Sequence, residues 1–591
     1  MRRPHIRRVA IAVAVTTAAT LPGPALAAVP DAPAREAAAS SSPVASARAA
    51  AFAHAEDTGV ARGDTLLAKD VMTDPDGKQH VRFVRAHQGL PVLGGDLVVH
   101  LGERSRYLGV TRAVGHPVEP ATVEAKLTPR QAERKAADAA RGDAGDARLV
   151  VDAREGGAAL AYQVTVTDSG TTEAGGSRTV VVDAHSGRIR SSIPDNDEFI
   201  SPSLADTLRE RGGSASPQAG LAAGLPGLTN AARAGHYPAT ATGSGASLFA
   251  GKVALTTTRT ARTSYLLKDP TRWNTETRDA KGQELESFAR GKKFTDGDNK
   301  WGTGTTASRS SAAVDAQYGI TKTLDFYKKT FGRKGIKNNS TGARGMVHFG
   351  NKVGNAFWDS TCGCMLYGDG DGQYFKKPLV VLDVTGHELT HGVVDATAAL
   401  EPTRVDDEGN QYGEPGSLNE SLADIFGSNV EFAANNPKNP PNYLVGEKLG
   451  LAQKFLRRLD HPSLDLLEEA VDYWSPAAYD TEVHAGSGVS SHAYYLLAEG
   501  SGRKTIGGVT YDSPTFDGSR VTGIGRAKST AVFYRALTRY MVSTTDFHDA
   551  RKATLKAAAD LYGASSTEYK AVGKAWAAVN VTAANTPAAK H

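Results

Sequence analysis

Val384-Thr385-Gly386-His387-Glu388-Leu389-Thr390-His391 sets two histidines four residues apart inside a stretch, 380–395, with helical periodicity. Residues four apart on a helix share one face, about one turn from each other. Both imidazoles therefore reach a single zinc ion. Glu388, one residue on, flanks that ion without binding it and is placed to take a proton from water. The bland reading is a chance pair on a surface helix, so the surroundings decide. A catalytic zinc takes three protein ligands and keeps an open position. One class of such sites continues the helix to a third histidine, with a glycine three residues after the second. Here those positions hold Val394 and Thr397, which excludes that class. The third ligand is expected from elsewhere, and Glu420 in Asn419-Glu420-Ser421-Leu422-Ala423-Asp424 is the best candidate. Asp424 lies one turn further on the same face. A carboxylate there, with Asn419 beside it, suits the outer support that orients ligand histidines. The competing reading is an acidic helix start, where carboxylates are favoured anyway.

The rest of the chain is read outward from this point. At 591 residues it is too long for one compact domain. A charged fraction of 22% and a net charge of only +4 suit a soluble globular protein and give no reason to expect nucleic acid as partner. Arg2, Arg3, Arg7 and Arg8, the apolar run Val9 to Leu21, and Ala25-Leu26-Ala27 read as an export signal over 1–27, too short in its apolar part to span a bilayer. A secreted, extracellular protein without a membrane anchor is expected, with a monomer as the default. Residues 28–60, rich in Ala, Ser and Pro, read as a flexible leader. A small α+β module follows to 195. Strands are expected at Val81-Arg82-Phe83-Val84 and Leu97-Val98-Val99, and Thr128-Pro129 opens a helix to Arg141. Residues 196–240 lose periodicity and read as a linker open to proteolysis. From 241 to 385 the chain looks β-rich apart from a helix near 312–330, and from 386 to 591 helices dominate, including 417–435, 488–500 and 525–541. A β-rich lobe followed by a helical lobe suggests a cleft between them. The fold class is α+β. Export makes a bridge between Cys362 and Cys364 chemically accessible, although one intervening residue makes it tight. Two cysteines do not make a four-thiolate zinc site.

Around His387, Glu388, His391 and Glu420 the sequence resembles the thermolysin-like family of zinc metallopeptidases. Three further segments carry the resemblance, which covers about 245–591. Asn355-Ala356-Phe357-Trp358 followed by Tyr367-Gly368-Asp369-Gly370-Asp371-Gly372 resembles the family's substrate-binding edge strand and turn. Val483-His484-x-x-Ser487-Gly488 resembles the segment with the transition-state histidine. Leu456-Arg457 resembles the pair lining the pocket for the residue after the cut. The resemblance implies zinc on His387, His391 and Glu420, Glu388 as general base, and His484 on the oxyanion, with Asp480 orienting it. It implies Asp424 orienting His387, Asn355 and Ala356 on the substrate backbone, and an apolar pocket shaped by Phe375, Val384, Leu456 and Arg457. Taken singly, His484 reads as a surface histidine, Phe375 and Val384 as core, and Arg457-Arg458 as a solvated pair.

Glu420 lies 29 positions beyond His391, longer than usual for the family, with the extra residues within Glu401 to Gln411. Tyr412, the one tyrosine between the two zinc motifs, is therefore the candidate for the family's transition-state tyrosine. Asp383, Glu431 and Glu447 match calcium-binding positions, with Asn442 and Leu444 where acidic residues are usual, which suggests one calcium in place of a pair. Asp296-Gly297-Asp298 resembles a separate calcium loop and equally an ordinary turn. Cys362-Gly363-Cys364, just after the edge strand, is expected as a disulfide stiffening the cleft rim. Gln88-Gly89-Leu90-Pro91-Val92 and the helix and strands of 128–190 resemble the propeptide of such enzymes. The implied protein is a self-processed endopeptidase zymogen, inhibited by its own residues 28 to about 235 and cleaving proteins and peptides before bulky apolar residues. A zinc aminopeptidase and a catalytically silent binding module are the competing readings. The first lacks a carboxylate set for a free amine, and the second is disfavoured by the intact Glu388.

Overall fold

The computed structural model describes residues 42–154, 157–168, 176–210, 237–285 and 287–585. The expected export signal lies outside them. Among the described residues no helix is long and apolar enough to cross a membrane. Pro43–Ala53 is helical and buries Ala47 and Ala51, so the expected flexible leader is in part a packed helix. Small side chains let it lie close on the sheet containing Val81, Phe83, Leu97 and Val99. The expected strands are Gln79–His87 and Leu97–Leu101, paired antiparallel in a ten-stranded sheet. Thr128 caps the helix Pro129–Ala140 in a reciprocal arrangement with Gln131, as its hydroxyl and the following proline imply.

The expected linker departs from its reading. Asn196–Glu198 is a strand and Pro202–Glu210 a helix, while 211–236 lie outside the described residues. The strand has no periodicity of its own to read. It exists because it pairs antiparallel with Ala356–Asp359 and becomes the edge of a seven-stranded sheet. Inward from it run Ala356–Asp359, Cys364–Tyr367, Arg344–Phe349, Thr275–Gln283 and Lys268–Asp269. Cys362 and Cys364 are joined in a disulfide at the turn between the first two of these inner strands.

Behind the sheet lie the helices Arg309–Phe331, Leu382–Asp395 and Glu414–Ala434. The second is buried from Leu382 to Val394, as a helix enclosed on all sides must be. Gly386 and Gly427 meet where it crosses the third. A Cβ on Gly386 would stand 2.9 Å from Gly427 Cα, and one on Gly427 would stand 2.8 Å from Asp383 O. The two backbones touch, and this proximity lets side chains from both helices converge. Replacing Gly427 by Ala is expected to lower stability by about 1–3 kcal/mol through overpacking and to weaken zinc retention. Chemical denaturation and metal analysis of the same variant check both.

The N-terminal module also grips the helical part far from the cleft. Arg82, buried, donates to Met541 O at 2.8 Å, and Ser543 Oγ donates to Asp96 at 2.6 Å. His80 Nδ1 and His100 Nδ1 lie 2.7 Å apart, with His80 Nε2 3.0 Å from Asp74, which Arg535 also pairs. Both rings stand against Tyr540, and His100 Nε2 is 3.0 Å from Thr111 Oγ1. Burial, then the charges of His80, Lys556, Arg82 and Arg535, holds His100 well below its ordinary range. The folded state therefore takes up fewer protons here than the unfolded chain. The stability tied to neutral His100 is lost as pH falls through the unfolded histidine value of about 6.5. The full-length chain carrying Glu388→Ala is expected to melt at a lower temperature at pH 5.5 than at pH 7.5, and His100→Gln to shrink that difference. Thermal unfolding at the two pH values checks it.

Candidate active site

The helix Leu382–Asp395 presents His387 and His391 on one face, and Glu414–Ala434 brings Glu420 opposite. The two Nε2 atoms are 3.0 Å apart and lie 3.4 and 3.6 Å from the Glu420 oxygens, all buried. One ligand atom from each of the three residues lies within 4.8 Å of the others. The far side of each ring is fixed. His387 Nδ1 is 2.8 Å from Asp424 and His391 Nδ1 is 3.0 Å from Asn419 Oδ1. A carboxylate and a carbonyl oxygen accept there, so each Nδ1 carries the proton and each Nε2 lone pair faces its neighbour across the site. Burial holds His391 at about 4. Glu420 Oε2 is buried without a hydrogen-bond partner. Two imidazole nitrogens facing each other at 3.0 Å beside a buried carboxylate oxygen that makes no hydrogen bond are costly unless a cation joins them, and two nitrogens with one carboxylate are the donors zinc takes. The residues present fit the ion.

Glu388 is buried, and neither carboxylate oxygen has a hydrogen-bond partner. Burial, then the charges of Glu420 and Asp197, raises it well above its ordinary value.

The strand Asn196–Glu198 lies across this group. His484 Nε2 is 2.8 Å from Glu198 O and 3.6 Å from Glu420. Burial opposes charge on His484, but Glu482 and Glu420 outweigh it and raise the ring well above its ordinary value. It is a cationic donor to that carbonyl. Phe199 N donates to Ala356 O at 3.0 Å, and Asn355 Oδ1 accepts from Ile200 N at 3.2 Å. Phe199 is fully buried, with its ring edge-to-face on His387 at 5.3 Å. Arg457 Nη1 donates to Phe199 O at 3.0 Å, and its guanidinium lies 5.1 Å from the Phe199 ring centroid. Asn419 also donates to Asp197 at 3.2 Å.

Arg457 is thus neither a solvated arginine nor simply a pocket wall. It is buried and forms two bonds to Asp424, at 2.8 and 3.0 Å. Burial opposes ionisation of Asp424, yet Arg457 and His387 hold it down at about 2. Leu456 stands beside Gly446, close to the Phe199 ring, while Phe375 and Val384 are buried in the surrounding core.

Two expected roles are corrected. Asp480 is exposed and pairs with Arg404, whereas Glu482 holds His484 Nδ1 at 2.8 Å. Glu482 caps the short helix Val483–Gly486, accepting from His484 N, and that fixes its carboxylate beside the ring. The Tyr412 hydroxyl donates to Asp406 at 2.7 Å and its ring lies under Arg404. The insertion engages the phenol. Glu482 was legible only as a carboxylate two residues before the histidine.

The second acidic group is also gathered. Asp383 accepts from Gly446 N at 2.5 Å, and Asn442 Nδ2 donates to Glu447 at 3.2 Å. Burial, then Glu447 and Asp383, raises Glu431 well above the carboxylate range, and burial with Asp383 lifts Glu447 to about 8. Glu431 Oε2, Glu447 Oε2 and Asn439 Oδ1 are buried without partners. Asn439 was not read from the sequence. Asp296 and Asp298 behave differently: Asp296 Oδ1 accepts from the 298 and 300 amides and Asp298 pairs with Lys300, the bonds of an Asx-type turn.

Comparison with known proteins agrees with this geometry. Residues 242–395 match the thermolysin metallopeptidase catalytic domain, 410–581 its alpha-helical domain, and 64–114 the fungalysin/thermolysin propeptide motif. The chain belongs to the thermolysin family of metallopeptidases. It is 32% identical over 539 residues to the thermostable neutral protease NprT of Geobacillus stearothermophilus, covering 88% of this chain and 86% of that one. It is 33% identical to thermolysin of Alicyclobacillus acidocaldarius subsp. acidocaldarius, with the same coverage. It is 37% identical to the transglutaminase-activating metalloprotease of Streptomyces mobaraensis, of whose length it spans only 62%. As a thermolysin-family member it is a metalloendopeptidase with a propeptide, and the family implies zinc.

Asp424→Asn is expected to leave the Arg457 charge buried and unbalanced, costing about 3–5 kcal/mol, and to loosen zinc by about 10–100-fold. Denaturation and a metal-competition titration on the matured protein check the two effects separately.

Proposed function

We propose that this chain is the precursor of a secreted zinc endopeptidase that cuts before bulky apolar residues and processes itself within 196–245. The observation that carries the reading is the seating of Phe199. An aromatic side chain is buried against His387 and Arg457, directly after a carbonyl held by His484. Zinc held by His387, His391 and Glu420 would supply a Lewis acid at that carbonyl and lower the pKa of water. Glu388 takes a proton from the attacking water and returns it to the leaving nitrogen. Protonated His484, held by Glu482, donates to the oxygen as charge develops there. Asn355 and Ala356 hold the substrate backbone as an added strand, and Arg457 holds the carbonyl after the cut. Asp424 and Asn419 orient the two histidines.

Chain continues on both sides of the seated bond, from Asp195 to Ser201, which favours endopeptidase over aminopeptidase action. Calcium is part of the proposal. Asp383, Glu431 and Glu447, with Asn439 and Asn442 beside them, offer hard oxygen donors where buried like charges need a cation.

The matured protein is expected to cleave an unstructured protein and an N-terminally blocked peptide, and to prefer Phe or Leu over Asp after the cut. Glu388→Ala lowers the rate by at least about 10²–10⁴-fold with zinc content unchanged, and a zinc chelator abolishes cleavage. Survival of cleavage in Glu388→Ala would sink the mechanism. Calcium chelation is expected to lower the melting temperature, and Glu431→Gln to blunt the response to added calcium. Melting curves with and without calcium check this.

A further inference from the structure

We infer that the Glu198–Phe199 peptide bond is the first bond this enzyme cuts in its own chain, an assignment that rests on the peptidase reading above. An inhibitory segment has two ways to fill a cleft: displaced or reversed relative to a substrate, or in the register in which a substrate reacts. The contacts here define one register. Glu198 O faces His484 Nε2 at 2.8 Å, on the side where His484 also approaches Glu420. The nitrogen of the same peptide bond donates to Ala356 O at 3.0 Å. The next carbonyl, Phe199 O, is taken by Arg457 at 3.0 Å, and the next nitrogen, Ile200 N, by Asn355 Oδ1 at 3.2 Å. Asn355 Nδ2 reaches back to the Glu198 side chain at 3.0 Å, so one residue spans the bond from both sides.

Neighbouring bonds do not meet this description. The Phe199 carbonyl is turned to Arg457, away from His484. Asp197 and Glu198 are engaged as strand partners of Trp358 and Phe357. Among the described residues, only at Glu198–Phe199 does a carbonyl lie against the His484 ring nitrogen while an apolar ring occupies the buried pocket on its far side. Hydrolysis there consumes one water. Its oxygen bonds to the Glu198 carbonyl carbon, the bond to Phe199 N breaks, and one water proton moves through Glu388 to that nitrogen. The products are a Glu198 carboxyl and a Phe199 amine.

The cut does not by itself clear the cleft. Ile200, Leu204 and Leu208 remain packed in the main core, and Ser201 holds Glu468 through its amide and its hydroxyl, at 3.1 and 2.6 Å. A species beginning at Phe199 therefore precedes the final enzyme, and further trimming removes the segment after it.

The test follows the full-length precursor through maturation by intact mass and N-terminal sequencing. The expected earliest pair of fragments ends at Glu198 and begins at Phe199, and the Glu388→Ala precursor yields neither. Phe199→Leu keeps the cut at this bond, and Phe199→Asp slows it by at least about tenfold. A blocked synthetic peptide of residues 192–205, given to matured enzyme, removes any dependence on precursor folding and is expected to be cut between Glu198 and Phe199. An active enzyme whose first cut falls elsewhere, or which cleaves the peptide only at another bond, overturns the assignment alone. Failure of matured, zinc-loaded enzyme to cleave an unrelated unstructured protein as well would overturn the peptidase reading beneath it.

Discussion

One buried carboxylate organises the centre. Asp424 fixes His387 from behind and takes both arms of Arg457, whose remaining nitrogen holds Phe199 O. The ligand end of the site and the backbone-holding end are thus tied to the same anion. A carboxylate and a guanidinium buried together are tolerable only in such a well-formed pair. Their separation is set in turn by Gly386 and Gly427, which let the two helices touch. With side chains at that crossing the helices would stand further apart, and Glu420 would draw back from the histidines.

The parts of this arrangement legible in the sequence are those fixed by local spacing. Histidines four apart, and Glu420 one turn before Asp424, are helical facts that need no tertiary information. The capped helix after Thr128 and the helices from 309 onward are legible for the same reason. What was not legible depends on partners distant in the chain. Asn196–Glu198 is a strand only because Ala356–Asp359 offers an edge, and nothing in Asn-Asp-Glu announces it. Asp480 and Glu482 are both acidic and both near His484, and the choice between them lies in the cap of a four-residue helix. Arg457 beside Arg458 looks solvated until Asp424 is brought to it. Tyr412 was assigned by count, and the inserted hairpin around Asp406 redirected its hydroxyl.

The propeptide inhibition that the family implies has two separated footholds here. One is the strand in the cleft. The other is the contact of Arg82, Asp96 and the His80–His100 pair with the helical part near Arg535 to Ser543. Under the proposed cut in the cleft the second foothold is intact, so the N-terminal module would stay near the enzyme after its covalent link is gone. Its departure is then a matter of affinity at a histidine-bearing interface, separate from the chemistry that cut it.

The edge strand Ala356–Asp359 has a further consequence. Whatever lies in the cleft must present a bare backbone to it, with its own hydrogen-bonding groups unclaimed over several residues, as Asn196 to Ile200 do here. A segment already committed to a helix or to the interior of a sheet cannot do so until it opens. The enzyme therefore gauges the local looseness of other proteins as much as their side chains. Its choice of bonds falls in chain that is, for a moment, unfolded.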